Sequence, residues 1–545
     1  MTETPFAITL GVGSSLANKT GSWRVERPVY VDRLPPCNNG CPASENIQGW
    51  LYQAEEGNYE AAWRVIMEAN PLPAIMGRAC FHPCEMACNR VQIDEAVGIN
   101  AVERFLGDRA IEAGWTVEVT AAPTGRRVLV VGSGPAGLSA AYHLRLKGHE
   151  VEIFEGAPQA GGMLRYGIPA YRLPRNVVDA EIERIRAMGV RIHLDHPVDD
   201  LATTMAEGHF DAAFVGIGAQ RGKNPEIPSG DASKVLDAVS MLHGFEDGEG
   251  PVLGRRVVVY GGGDTAMDAA RTAQRLGATE TIVVYRRTRD RMPAHDEEVL
   301  DAQAEGVQMR WLSTVTHTDG GRLMLEKMTL DEKGVAVGTG QFEELEADSL
   351  VLALGQDTDL SLLHTLDEVD VANGVITVNY NQMTGRSGVF AGGDAASSPS
   401  GERTVTAAVG HGARAALAID GWLHGEVLEP VSDRPLASAD RLNPWYYADA
   451  PRTMRPRLEA ARRRSNFDEV VGGLTAEDAL FEARRCMSCG NCFECDNCFG
   501  VCPDNAVIKL GPNLGYEFNL DYCKGCGICA KECPCGAIDM VPEHR

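Results

Sequence analysis

Two stretches near the C-terminus repeat one spacing, C-x2-C-x2-C-x3-CP: Cys492, Cys495, Cys498, Cys502-Pro503, then Cys523, Cys526, Cys529, Cys533-Pro534. No other feature restricts the fold so tightly, because in such paired runs the fourth cysteine serves the other run's cluster. The spacing predicts two interlocked 4Fe–4S clusters. One takes Cys492, Cys495, Cys498 and Cys533; the other takes Cys523, Cys526, Cys529 and Cys502. A zinc site or coincidence does not account for two matched copies.

The first run has cysteines to spare. RRCMSCGNCFECDNCFGVCP, residues 484–503, sets five evenly at 486, 489, 492, 495 and 498. Only the register ending at Cys502-Pro503 fits the run, so Cys486 and Cys489 are left over as a C-x2-C pair. The sixteen cysteines fall into two groups, five from Cys37 to Cys88 and eleven from Cys486 to Cys535. A chain of 545 residues, long enough for two to four domains, uses such groups for metal or clusters rather than as a disulfide framework. The cysteine-free stretch 89–485 also excludes a redox-active cysteine pair beside any nucleotide site in the middle of the chain.

That middle holds two nucleotide-binding signatures. RRVLVVGSGPAGLSAAYHLRLKGHEVEIFEG starts at Arg126 and reads strand, glycine loop, helix, strand, acid. Gly132 permits the tight turn, Gly134 lets a pyrophosphate approach the backbone, and Gly137 lets helix pack on strand; Pro135 and Ala136 complete the loop. The helix N-terminus offers free N–H groups to phosphate, and Glu155 can accept from a ribose diol. A second unit, RRVVVYGGGDTAMDAARTAQRLGATETIVVYRR, starts at Arg255. Gly261, Gly263 and Ala266 fill the three small-residue places, with Asp264 and Thr265 opening the helix. Its second strand ends not in an acid but in Arg286 and Arg287, which favours the 2′-phosphate of NADP while leaving NAD open. An acid-ended unit followed by an arginine-ended one predicts FAD, then NADP. TGRSGVFAGGDAA (384–396) resembles the segment that closes the FAD site in two-dinucleotide flavoproteins, which implies Gly393 and Asp394 near the flavin and a helix from about Thr404 behind them.

Upstream, residues 37–103 show helical periodicity and carry C-x3-CP and then C-x3-C-x3-C. These motifs, with GGMLRYGIPAYRLP at 161–174, resemble the glutamate synthase small-subunit family, which includes the flavin domains of dihydropyrimidine dehydrogenase and of NADH-dependent ferredoxin:NADP oxidoreductase. The resemblance covers about residues 35–425. It implies FAD contacts at Gly162 and Leu164, and a cluster held by Cys41, Cys80, Cys84 and the non-cysteine ligand Glu103. It also implies a second N-terminal cluster, from a C-x2-C-x4-C-x3-CP motif whose first two cysteines would stand at 29 and 32. This chain has Val29 and Asp32 there, so that cluster keeps only Cys37 and Cys88. Either it is lost, or Cys486 and Cys489 fold back to complete it; Cys535 then stays spare. MPAHDEEVLDAQAEGV (292–307) also recurs in the family, without an assigned chemistry.

The fold class expected is α/β: a two-dinucleotide-binding (Rossmann-like) flavoprotein core with an N-terminal α-helical iron–sulfur domain and a C-terminal bacterial-ferredoxin-like α+β domain. The expected domains are 1–122 (helical iron–sulfur), 123–250 and 356–425 (FAD), 251–355 (NAD(P)), 426–485 (connecting arm) and 486–545 (two-cluster tail). The function expected is electron transfer between NAD(P)(H), FAD and a chain of 4Fe–4S clusters. The flavin itself accepts the hydride, so no protein acid or base is required.

The tail resembles the ferredoxin subunit of 2-oxoacid:ferredoxin oxidoreductases. The fusion therefore suggests the NAD(P)-reducing subunit of a phenylglyoxylate- or 2-oxoglutarate-dehydrogenase-type complex, with thiamine diphosphate on partner subunits. A stand-alone NADPH:ferredoxin oxidoreductase working with free ferredoxin, a glutamate synthase small subunit, and a non-catalytic wiring subunit are the alternatives. A net charge of −25 argues against nucleic acid, and no apolar run of about 18 residues suggests a membrane span. The first residues lack the pattern of a secretory leader, so the cytoplasm is the expected location.

Overall fold

The computed structural model describes residues 19–223, 234–246, 250–397, 402–426 and 434–543. The opening stretch, on which the reading of a missing leader rests, lies outside the described residues.

Apolar runs such as RVLVV and RVVVYG are buried on both faces, as parallel strands must be. They form two five-stranded parallel sheets. The first runs Val389–Ala391, Ala212–Val215, Arg127–Val131, Glu150–Phe154, Arg191–His193 in spatial order. Val389–Ala391 returns to the edge beside Ala212–Val215 after the whole second sheet has been built, so the first unit is discontinuous in sequence. Helices Pro135–Leu146 and Val405–His424 pack on each other against it.

The second sheet runs Gln308–Arg310, Glu280–Val284, Arg256–Gly261, Ser349–Ala353, Lys234–Asp237. Its outermost strand corrects the expected boundary at residue 250. Lys234–Asp237 pairs with Ser349–Ala353 and belongs to the second unit, because four residues with one short apolar pair carry no local mark of their sheet. A three-stranded antiparallel meander, Ser313–Asp319, Arg322–Leu330 and Ala336–Glu346, covers one face through Val315, Leu323 and Leu325.

The N-terminal helices Ile47–Glu55, Tyr59–Met67, Pro73–Ala79 and Ile99–Ala113 enclose Trp50, Ile66 and Leu106. Leu474, Ala479 and Ala483 join that core. The end of the expected arm is therefore a structural helix of the first domain, Ala476–Ala483, opened by a Thr475/Asp478 capping box. The rest of the arm is also bound down: Glu469 pairs with Arg78 and Arg104, and Arg457 reaches Asp301 of the second unit. The tail carries the hairpin Val507–Gly511/Gly515–Phe518, and its last strand Ile538–Pro542 pairs antiparallel with Glu26–Tyr30. The two ends of the described chain thus share a sheet. Among the described residues no helix is long and apolar enough to cross a membrane.

Candidate functional site: two nucleotide cavities and their cysteine clusters

A cavity of about 760 Å³ opens at the end of the first sheet, within the range of cofactor sites. Gly132, Gly134, Pro135, Ala136, Glu155, Gly162, Gly393, Asp394 and Thr404 line it. Its residues fit FAD. Gly132 needs its φ of +94°, and a Cβ on Gly134 would point into open space, leaving the loop free for a pyrophosphate. A Cβ on Gly137 would meet the Gly132 carbonyl at 1.9 Å, so this glycine serves packing rather than the ligand. Leu164, expected at the site, lies in the core behind the cavity with no exposed surface. The short turn Met163–Tyr166 points it inward.

Glu155 accepts from the Ser133 and Ala157 backbone N–H groups at 2.8 and 2.9 Å, which holds it at the strand end with lone pairs to spare. Burial raises the Asp394 carboxyl, with Arg403 opposing. His411 escaped the sequence reading: its Nδ1 accepts from the Gly393 N–H at 3.2 Å, and burial lowers its pKa to about 4. A histidine nearly two helical turns into an apolar helix gives no local signal of such a role.

The second cavity, about 640 Å³, is lined by Gly261, Gly263, Thr265, Arg286 and Arg287. Gly263 faces open space, as Gly134 does. Arg287 Nε is buried without a hydrogen-bond partner, an orphan donor suited to a phosphate. Ala266 is fully buried and serves packing. Asp264 and Thr265 also border the first cavity, so the two sites meet at this loop.

Asp264 accepts from the His295 backbone N–H at 2.9 Å and lies 2.9 Å from its Nδ1, and the His295 ring stacks on Phe81 at 3.4 Å. The 292–307 stretch thereby acquires a physical role. His295 ties the nucleotide loop to the iron–sulfur domain, and Glu298 and Glu305 anchor Arg172, Arg271 and Arg275 in a buried network.

The cysteines gather as four groups. Cys84 lies near enough to Cys80, Cys41 and Glu103 for each to raise its pKa further after burial. Glu103 is itself raised by burial and by Glu45, and accepts from Asn70 Nδ2 at 2.8 Å. Cys37 faces Cys486, Cys88 and Cys489. In the tail, Cys495 and Cys498 both sense Cys533, as Cys492 does, while Cys502, Cys523, Cys526 and Cys529 line one hollow. Among the described residues no three such side chains converge to hold a single metal ion.

The flavin cavity and the first of these groups are contiguous. Ala79 and Phe81, which flank Cys80, line the cavity, and the Thr406 hydroxyl of the flavin-side helix donates to Cys80 Sγ at 3.0 Å.

The family described as pyridine nucleotide-disulphide oxidoreductase matches residues 126–412, more than half of the chain. The chain belongs to this family. Between residues 89 and 485 the chain has no cysteine, so no disulfide can form there. Residues 27–115 match dihydropyrimidine dehydrogenase domain II, and 516–539 match a 4Fe–4S binding domain.

The chain is 35% identical to the NADP(+)-dependent formate dehydrogenase subunit beta of Moorella thermoacetica, over 83% of this chain and 70% of that one. It is 31% identical to the NADPH-Fe(3+) oxidoreductase subunit beta of Geobacter sulfurreducens, over 85% and 77%. It is 33% identical to the glutamate synthase [NADPH] small chain of Azospirillum brasilense, over 73% and 88%. The protein is an oxidoreductase whose cofactors are FAD, NAD(P) and 4Fe–4S clusters.

Proposed function

We propose that this chain is the NADP-linked flavin subunit of a larger oxidoreductase. On this reading Arg286 and Arg287 select the phosphorylated nucleotide, and the C-terminal clusters meet a partner that carries the substrate chemistry. The observation that carries the reading is the position of the flavin cavity. Its wall is formed on one side by Asp264 and Thr265 of the nucleotide loop and on another by Ala79 and Phe81 beside Cys80. When bound, the flavin supplies the exchange between two-electron and one-electron carriers. The protein's own residues would hold the two ligands in neighbouring cavities that share Thr265, and they set Cys80 against the flavin-side helix. The Cys41, Cys80, Cys84 and Glu103 group and the two tail groups are proposed as cluster ligands, with Cys492, Cys495 and Cys526 exposed at the tail where a partner can approach.

For the partner, the resemblance of the tail to ferredoxin subunits supports a thiamine-dependent 2-oxoacid oxidoreductase. The name of the Moorella relative supports a formate-oxidising subunit instead. Flavin bleaching by NADPH against NADH, followed anaerobically, tests the nucleotide assignment; equal rates with both would overturn it. Co-purification from the native source tests the partner: thiamine-binding subunits support the first candidate, a formate-oxidising subunit the second, and a large amidotransferase a glutamate synthase.

A further inference from the structure

Resting on the reading of this chain as an iron–sulfur flavoprotein, we propose that Cys37, Cys88, Cys486 and Cys489 hold one further 4Fe–4S cluster, shared between the two ends of the chain. All four cysteines line a single small hollow whose remaining wall is largely apolar, including Pro36, Leu51, Val97 and Met487. The tail offers an internal standard. The hollow lined by Cys502, Cys523, Cys526 and Cys529, which stand in the specific ferredoxin spacing, is the same size as the shared hollow. Two cavities of one size, each walled by four cysteines, fit the same group.

Positions 29 and 32 show why the ligands had to move. Val29 lies in the strand paired with the tail, opposite Asp539, and Asp32 is an exposed residue paired with Arg434. Neither position lines the hollow. The chain that would have supplied two cysteines is instead committed to a sheet with the tail, and the segment leading into the tail supplies them.

The donor loop is held from both sides by contacts independent of any metal. Arg90 Nη1 donates to the Arg485 carbonyl at 2.8 Å, and buried Arg485 pairs with Asp94. At the other end the Gly490 N–H donates to the Cys535 carbonyl at 2.6 Å, two residues beyond Cys533. Gly490 has φ of +79°, and a Cβ there would meet Arg33 and Ala437 Cβ atoms at 2.5 and 2.7 Å, so the loop can turn here only with glycine. The hollow therefore sits between the N-terminal domain, where Cys37 lies in the short helix Pro36–Gly40 that Cys41 caps, and the tail segment that carries Cys533. A cluster there adds a redox centre at the joint and cross-links the tail to the body of the protein.

The test uses the full chain, isolated anaerobically, with iron, zinc and EPR-detected clusters measured per chain. Cys486→Ala/Cys489→Ala and, separately, Cys37→Ala/Cys88→Ala are each expected to lose about four iron atoms and one reduced-cluster EPR signal. The quadruple variant is expected to lose no more than either pair, because both pairs remove the same cluster. Cys535→Ala is expected to keep all its iron. Unchanged iron in both double variants, losses that add in the quadruple variant, or loss of zinc in place of iron would each overturn the proposal. The non-additivity also guards against a tail that simply unfolds in one variant. Flavin bleaching by NADPH in the unaltered protein tests the underlying reading separately.

Discussion

Thr406 donates its hydroxyl proton to Cys80 Sγ at 3.0 Å, joining the helix behind the flavin cavity directly to the iron–sulfur domain. Thr406 is buried, so this bond is protected from water. Hydrogen bonds to cluster sulfurs are among the levers that set cluster potential. Thr406→Val is expected to lower the potential of the cluster involving Cys80 by some tens of millivolts, while Thr406→Ser keeps it. Spectroelectrochemical titration checks this, and an unmoved potential in the valine variant would refute the link.

The orphan Nε of Arg287 predicts where nucleotide choice is made. A charge-assisted hydrogen bond is worth about 1.5–3 kcal/mol, equivalent to roughly 10- to 100-fold in binding. Arg287→Ala should raise the KM for NADPH by that order and leave NADH nearly unaffected. Steady-state kinetics with both nucleotides decides it.

Arg172 links the two nucleotide units. Its guanidinium pairs with Asp268 at 2.7 Å and Glu298 at 2.9 Å, all three largely buried. Removing one partner of a buried ionic group leaves charge uncompensated, at a cost of about 3–5 kcal/mol. Arg172→Met is therefore expected to lower the urea midpoint clearly, whereas the exposed pair Arg64–Glu60 can be broken almost without effect. Similar losses at both sites would count against the network.

His411 gives stability a pH dependence of known sign. Its pKa in the folded protein is lowered to about 4, mainly by burial, against about 6.5 when free. As pH falls below about 6.5 the unfolded chain takes up this proton first, so stability present above that pH is lost progressively down to about pH 4. The full loss is on the order of 3 kcal/mol. His143, also lowered to about 4 by burial, acts in the same direction. His411→Gln should thus remove part of the decline in urea midpoint between pH 7 and 5, and an unchanged slope would exclude the assignment.

How much of this could be read before folding differs from residue to residue. Gly134 and Gly263 were legible because a glycine loop between strand and helix is a contiguous signal, and both face open cavities in the folded chain. The tail's cysteine runs were legible for the same reason: ligand spacing is a local property. The burial of the Leu164 side chain was not legible, because the direction of one side chain within a motif is set by packing. Lys234–Asp237 joined the other sheet because edge pairing depends on which strand is available in space. The 426–485 arm looked like a linker since its partners, Arg78, Arg104 and Asp301, lie far away in sequence.

By itself, then, the sequence determined the kinds of site: two dinucleotide loops and enough thiols for several clusters. Those depend on neighbours a few residues apart, where covalent geometry alone limits what can form. Only the tertiary structure decided which distant groups meet. It set Cys486 and Cys489 beside Cys37 and Cys88, placed His411 under Gly393, and stacked Phe81 on His295. Such meetings follow from the burial of whole helices and sheets, a free energy spread over many residues and written in no single stretch of chain.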